Sequence, residues 1–255
     1  MEKLIAVTVL AAVSAVCAAE SGARASSPAT LTPGVLQAGI PDVLKTIAGQ
    51  TVTTVEAWEK VRRPEVLELF KTHVFGRNAV ERPATLRFEP IEPDREMMEG
   101  RALRKRVSIR YSGPGGEGAI ALTAFIPKAA RPAPAFVLIC NRSSAKHIDP
   151  DRLEKNPFFP AEELVARGYA ALAIEQRGFG ESGGTPEGPD CQQIAMQALL
   201  LGRTLIGERV WDVSRAIDVV GDLFPMIDMC RIAAKGNSGG GTTTIYAAAM
   251  NERIA

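Results

Sequence analysis

The sequence contains little histidine and little cysteine. Only His73 and His147 occur among 255 residues, and the four cysteines form no Cys-x-x-Cys pair, so the common zinc and thioredoxin-like motifs are excluded and no metal site is predicted. The sequence also lacks an excess of charge of one sign, because it contains 30 basic and 29 acidic side chains. The charge balance therefore predicts no nucleic-acid partner. The remaining composition, 46% hydrophobic and 23% charged, is that of an ordinary globular protein.

One apolar run stands near the start of the chain. It extends from Leu4 to Ala18 behind a short charged head, and about 15 residues fall short of the ~20 that span a membrane. The run predicts an export signal over residues 1–19, followed by a flexible mature N-terminus over residues 20–40. We expect a secreted or periplasmic protein with no stable membrane span after cleavage. A buried N-terminal helix and a lipid anchor at Cys17 are the alternatives.

Hydrophobic periodicity divides the rest of the chain into helices and strands. Helical spacing predicts two helices between Thr53 and Gly76, and period-two alternation then predicts a hairpin between Arg104 and Ile126. The segments beyond alternate between buried strands and helices, namely Phe136–Cys140, Pro160–Arg167, Tyr169–Ile174, Leu205–Leu223, Arg231–Lys235 and a helix from Gly239. This order predicts an α/β fold with a mainly parallel sheet and helices on both faces.

A basic cluster lies at the start of the hairpin. It comprises Arg101, Arg104, Lys105, Arg106 and Arg110. Because these residues alternate with apolar ones, the pattern indicates a solvated edge strand and not a nucleic-acid surface. The proline-rich segment Glu89–Pro93 before it is typical of a connector.

Two glycine-rich segments suggest chemistry. Gly178–Gly183 fits G-x-G-x-x-G, but the glycines and prolines of residues 184–189 cannot open the helix that a dinucleotide site requires. Gly236–Gly240 fits G-x-S-x-G between a predicted strand and a predicted helix. That context favours a nucleophile elbow, in which Ser238 stands at the carboxyl edge of the sheet and the N–H of Gly239 faces the oxyanion. Gly236, Asn237 and Gly240 complete this elbow.

These residues resemble those of the α/β-hydrolase superfamily, which often carries R-G-x-G-x-S as Arg177–Ser182 does here. Three further segments are similar to secreted bacterial acetyl xylan esterases and glucuronoyl esterase-like proteins: Trp58–Phe70, Phe159–Ala170 and Gly202–Asp212. The resemblance covers approximately residues 41–255, which we predict to be one α/β-hydrolase domain. It implies a carboxylic-ester hydrolase that acts on acetylated or otherwise esterified plant polysaccharide, needs no cofactor and forms an acyl-enzyme.

Two features depart from these families. Glucuronoyl esterases resemble one another in an arginine directly after the nucleophile, whereas this chain has Gly239, which favours acetyl or other simple esters. The strand that precedes the second oxyanion donor ends in Cys140 without the His-Gly found in many α/β-hydrolases, so that donor is assigned to the backbone of Asn141 or Arg142.

The rest of the catalytic triad is absent from its expected place. In this fold an acid and then a histidine follow the nucleophile, but Glu252 is the only carboxylate after Ser238 and no histidine follows it. His73 lies on a predicted structural helix, and His147 is a candidate substrate contact. We therefore expect a hydrolase domain that lacks its last strands. Dienelactone hydrolysis, peptide cleavage and a non-catalytic homologue are the alternative functions.

Overall fold

The computed structural model describes residues 41–76, 82–113, 116–140, 158–183 and 190–255. Residues 41–51 group apart from the rest of the chain. They form a small set of turns closed by an antiparallel bridge between Lys45 and Thr51, and the Thr46 N–H donates to the Gln50 carbonyl at 2.9 Å. The predicted signal and mature N-terminus, residues 1–19 and 20–40, lie outside the described residues.

Within the described part of residues 52–255, seven strands form one mixed sheet. They are β1 (Arg87–Pro90), β2 (Arg95–Met97), β3 (Ala102–Gly113), β4 (Gly116–Pro127), β5 (Ala133–Cys140), β6 (Ala170–Glu175) and β7 (Ile227–Gly236). Their order is β1-β3-β4-β6-β5-β7, and β2 also pairs with β3. The strands β6, β5 and β7 run parallel, while β1 to β4 pair antiparallel with their neighbours. The predicted α/β sheet is confirmed, with its parallel part next to the predicted elbow.

Six α-helices occur in the same described residues. They are α1 (Val55–Ala57), α2 (Arg63–Phe70), α3 (Ala161–Ala166), α4 (Cys191–Leu200), α5 (Leu205–Leu223) and α6 (Gly239–Met250). A π-helical turn, Trp58–Arg62, joins α1 to α2, and a second one, Lys71–Phe75, extends α2 at its C-terminal end. No helix in the described ranges combines the length and the apolar character that a membrane crossing requires.

The two faces of the sheet carry separate hydrophobic clusters because neighbouring residues of a strand point to opposite sides. On β5, Val137 and Ile139 pack with residues of α5 and α6, while Leu138 packs on the other face with residues of α3. All three side chains are fully buried. The sheet is therefore covered by helices on both faces, as the run of apolar residues predicts.

The N-terminal helices pack against the helices that flank the elbow. The rings of Phe75 and Tyr246, the latter on α6, meet edge to face with centroids 4.8 Å apart. The Thr204 hydroxyl, at the start of α5, donates to the Phe75 carbonyl at 2.7 Å. Arg63 reaches the carboxylate of Glu252 at 2.9 Å, just beyond α6. The ring contact and the Arg63 ion pair therefore tie α6 and the residues just beyond it to the N-terminal helices, and the Thr204 bond ties α5 to them.

The prediction for the basic cluster was wrong in one respect. Strand β3 is not an edge, because β1 and β2 pair along one side of it and β4 along the other. Its cations form ion pairs, such as Arg104 with Glu92 and Arg106 with Glu181, each at 2.5 Å. The segment interpreted as a connector contains the end of β1. Strands of three and four residues beside prolines give too short an alternation to be recognised in the sequence.

Candidate active site

Ser238 occupies the turn between β7 and α6 with an uncommon backbone conformation. Its φ is +51° and its ψ is −123°, although it has a side chain. Such a conformation costs on the order of 1–3 kcal/mol and is found mostly at functional sites. The residue is exposed. The turn therefore presents the serine hydroxyl to solvent at the carboxyl edge of the sheet.

The two outer glycines of the turn are required by close backbone contacts. A Cβ atom on Gly236 would lie 2.2 Å from the Gly240 carbonyl oxygen, and one on Gly240 would lie 2.3 Å from the Ile139 carbonyl oxygen. Both distances are far inside van der Waals contact, so no side chain fits at either position. The second contact also shows that the first turn of α6 rests directly on β5.

Gly239 differs from its neighbours, because a Cβ atom there would meet nothing within 4 Å. It is the first residue of α6, where a backbone N–H has no partner inside the helix. The next N–H, of Gly240, donates to the Asn237 carbonyl at 2.8 Å, but within the described residues the Gly239 N–H has no acceptor. A free N–H at a helix N-terminus is suited to stabilise an oxyanion next to Ser238.

Gln176, directly after β6, links β6 to β5 and α6. Sequence reasoning missed this residue. Its backbone N–H donates to the carbonyl of Cys140 at the end of β5, at 3.1 Å. Its side-chain oxygen accepts a hydrogen bond of 2.5 Å from the hydroxyl of Thr243 on α6. Because residues 176 and 243 lie 67 positions apart, no local pattern could have indicated this contact.

The R-G-x-G-x-S segment forms a tight turn fixed by β6. The Glu175 carboxylate accepts the Glu181 N–H at 2.5 Å, and a Cβ atom on Gly180 would lie 2.3 Å from the same carboxylate oxygen. Ser182 is buried, and its hydroxyl oxygen accepts the Ala121 N–H of β4 at 3.2 Å. The segment is therefore a structural turn in which the glycine makes room for the carboxylate.

Arg177 lies in this turn at the centre of a buried ion cluster. Its guanidinium pairs with Glu208 and, at 2.6 Å, with Asp212, and it donates to the Tyr111 hydroxyl at 2.8 Å. Burial is the largest single effect on Arg177 and lowers its pKa, but Asp212, Tyr111 and Glu208 together outweigh burial and raise the arginine pKa. Burial raises the pKa of the Asp212 carboxyl, against the effect of Arg177. Burial, together with the charge of Asp212, raises the pKa of Tyr111 to about 12.

A cavity of about 420 Å³ lies beside the ion cluster. Its walls include Tyr111, Arg177, Gln197 and Trp211, but not Ser238. The cavity and the serine are therefore separate features of the molecule. In the described ranges no three His, Cys, Asp or Glu side chains come together as metal ligands could.

The structure describes only some of the residues predicted for the site. Gly236, Asn237, Ser238, Gly239 and Gly240 come together in the turn described above. The predicted oxyanion donors Asn141 and Arg142, and His147, lie outside the described residues.

His73 lies on the π-helical turn after α2 and is exposed. Over the described ranges, the Ser238 hydroxyl has no hydrogen bond to a histidine or a carboxylate.

Comparison with known proteins shows which families have a similar sequence and fold. Residues 154–255 match the family model of acetyl xylan esterase (AXE1), which covers the elbow and α3 to α6. A glucuronoyl esterase from Solibacter usitatus superposes with a TM-score of 0.65 at 23% identity, over 85% of this chain and 62% of that one. A promiscuous CE15 esterase from the marine bacterial metagenome gives 0.64 at 21% identity, over 85% and 61%. The chain has the α/β-hydrolase fold. The predicted resemblance to acetyl xylan and glucuronoyl esterases is confirmed as well.

One curated relative matches over a shorter stretch. The protein named "Putative hydrolase YtaP" from Bacillus subtilis (strain 168) is 34% identical over 103 residues, which are 39% of this chain and 31% of that protein. The chain thus spans about a third of this curated relative and less than two thirds of the solved α/β-hydrolases above.

Proposed function

We propose that Ser238 is the nucleophile of a carboxylic-ester hydrolase. The observation that supports this most is the elbow itself, where a strained, exposed serine stands beside the N–H of Gly239, which has no acceptor in the part of the chain that the structure describes. In the proposed reaction the serine oxygen attacks the ester carbonyl, and Gly239 donates to the resulting oxyanion. Loss of the alcohol leaves an acyl-enzyme, which water hydrolyses to the free acid.

The proposed substrate is an acetylated plant polysaccharide. The acetyl xylan esterase match supports this choice, because it covers the elbow. The glycine at position 239 also supports an acetyl group over a uronate, since it offers no cation to a carboxylate on the acid. Secretion, which the N-terminal sequence predicts, would bring the protein to such a substrate.

The second oxyanion donor and the proton acceptor are part of the proposal but not of the described site. We place the second donor at Asn141 or Arg142, directly after β5, and a substrate contact at His147. The acid and histidine of a triad are not assigned to any described residue. The absence of a bonded base at Ser238, within the described ranges, favours one competing function: a non-catalytic homologue that binds carbohydrate without cleaving it.

Release of acetate from acetylated xylan distinguishes these two functions. The protein is expressed from its natural gene with its own stop codon, and the variants are Ser238→Ala and Ser112→Ala. Ser112 is a matched control on β3, since it contacts Thr85 through its backbone. We expect Ser238→Ala to lower the rate to background, about a millionfold where the triad is complete, and Ser112→Ala to change it less than twofold.

Two results would count against the proposal. Acetate release that survives in Ser238→Ala would remove this serine from the mechanism. No release above background by the unsubstituted protein, together with binding to acetylated xylan, would favour the non-catalytic homologue. A methyl glucuronate ester tests the acyl preference, because we expect it to be cleaved more slowly than the acetate ester.

A further inference from the structure

We infer that Gln176 is a positioning residue for the oxyanion donor, acting on Gly239 through the hydroxyl of Thr243. This inference rests on the proposed function of the elbow. Gln176 follows β6 directly and is 1% exposed, while Thr243 on α6 is fully buried. Neither side chain can contact a substrate, so any effect on the reaction passes through the backbone that they hold.

The contacts form a short relay from β6 to the elbow. The Thr243 hydroxyl donates its one hydrogen to the Gln176 side-chain oxygen at 2.5 Å. Thr243 is in turn tied to Gly239 by the helix itself, in which the N–H of a residue donates to the carbonyl four residues earlier. A displaced Thr243 would therefore disturb the very residue whose N–H is the proposed donor. A Cβ atom on Gly239 would meet nothing within 4 Å, so no neighbouring group packs against that side of the residue. The relay supplies a restraint in place of such packing.

The same residue also fixes the neighbouring strand. The Gln176 N–H donates to the Cys140 carbonyl at 3.1 Å, at the last residue of β5. The first turn of α6 also rests on β5, because Gly240 closely approaches the carbonyl of Ile139. Gln176 thus connects the end of β5 with Thr243 in the second turn of α6, and a shift of one element relative to the other would stretch its hydrogen bonds.

A stability role alone does not explain Gln176. Its side-chain nitrogen is buried and has no hydrogen-bond partner among the residues that the structure describes. A buried donor without an acceptor destabilises the folded protein, so an apolar side chain of similar size would fit this position at least as well. The glutamine has one feature that such a side chain lacks, namely the oxygen that accepts from Thr243.

The test measures p-nitrophenyl acetate hydrolysis by the full chain in Gln176→Leu, Thr243→Val and Thr243→Ser. Removal of a whole oxyanion donor lowers kcat about 100- to 1000-fold, and a donor that is only displaced retains part of its effect. We expect kcat to fall about tenfold in Gln176→Leu and Thr243→Val, with KM unchanged within twofold, since the oxyanion forms only in the transition state. Thr243→Ser keeps the hydroxyl and should retain the original kcat.

Asn251→Leu is the matched control. Asn251 lies at the other end of α6, and its side-chain nitrogen donates to the Ser214 hydroxyl oxygen of α5 at 3.2 Å. The variant removes this bond and the two bonds that the Asn251 side-chain oxygen accepts from Arg253, directly after the same helix and without touching the relay. We expect it to lower the melting temperature while kcat remains within twofold of the original. Equal losses of kcat in Gln176→Leu and Asn251→Leu would overturn the inference.

A second measurement does not depend on turnover. Deuterium exchange of the backbone segment 236–244 should accelerate in Gln176→Leu and Thr243→Val, but not in Asn251→Leu. If Ser238→Ala abolishes hydrolysis while Gln176→Leu leaves kcat intact, the proposed function stands and this inference fails. If Ser238→Ala leaves hydrolysis unchanged, the proposed function fails, and exchange in segment 236–244 alone decides whether Gln176 holds the turn.

Discussion

Gly240→Ala is expected to destabilise the protein strongly, although alanine is the better helix former. The new Cβ atom would lie 2.3 Å from the Ile139 carbonyl oxygen, and side-chain carbons do not approach such atoms closer than 3.0 Å. The contact must therefore open by at least 0.7 Å. Both partners are backbone, and Ile139 is fully buried on a central strand, so relief requires α6 to move away from β5.

The expected magnitude follows from these two opposing effects. Overpacking of this kind costs about 1–3 kcal/mol, and a contact between two backbone segments belongs at the upper end of that range. Helix propensity returns less than about 1 kcal/mol. We expect the free energy of unfolding to fall by about 2 kcal/mol. For a domain of this size that lowers the melting temperature by about 4–8 °C.

Gly239→Ala provides the control within the same motif. It adds the same atom one residue earlier, where nothing lies within 4 Å, so the melting temperature should stay within about 2 °C of the original. Thermal unfolding followed by circular dichroism measures both variants. The reasoning would be refuted if Gly240→Ala melted like the unsubstituted protein, or if Gly239→Ala fell equally far.

Three further predictions concern other parts of the molecule. Because burial and Asp212 raise the pKa of Tyr111 to about 12, its stabilising contribution should persist below pH 10 and disappear as the pH rises toward 12. The tyrosinate absorbance that Tyr111→Phe removes should appear near pH 12, and a component near pH 10 would contradict the burial argument. A thiol reagent should modify exposed Cys230 in the folded protein but reach Cys140, whose thiol pKa is raised by burial, only after unfolding; equal rates would refute this. Thr204→Val removes a helix cap and the bond to the Phe75 carbonyl, and should lower the free energy of unfolding by about 1–2 kcal/mol in urea titrations, whereas no change would show that the cap is dispensable.

The elbow could be predicted from the sequence because its cause is local. Gly236, Ser238 and Gly240 lie within five residues, between a strand and a helix that their own periodicity identifies. The steric conflict that requires Gly236 arises inside this short segment, through its approach to Gly240, whereas the conflict at Gly240 involves Ile139 on β5. Likewise, the buried strands of the parallel region were recognisable as short apolar runs.

The supporting contacts could not be predicted because their partners are distant in sequence. Gln176 meets Thr243 across 67 residues, and Arg177 meets Tyr111 across 66. Helix α4 was also missed, since residues such as Met196 and Leu200 are exposed and leave no clear apolar stripe. Periodicity reports which face of an element is buried, but it does not report which elements meet.

The packing of the first helices onto the last one has a consequence for biosynthesis. Phe70 and Phe75 are synthesised early, whereas their aromatic partner Tyr246 follows 171 residues after Phe75. At roughly 5–20 residues per second, the two phenylalanines wait about 10–30 s on the ribosome before that ring exists. During this interval the N-terminal segment has no native surface on α6 to cover it. Translation speed, and any chaperone that meets the nascent chain, can therefore influence how much of the protein reaches the native state.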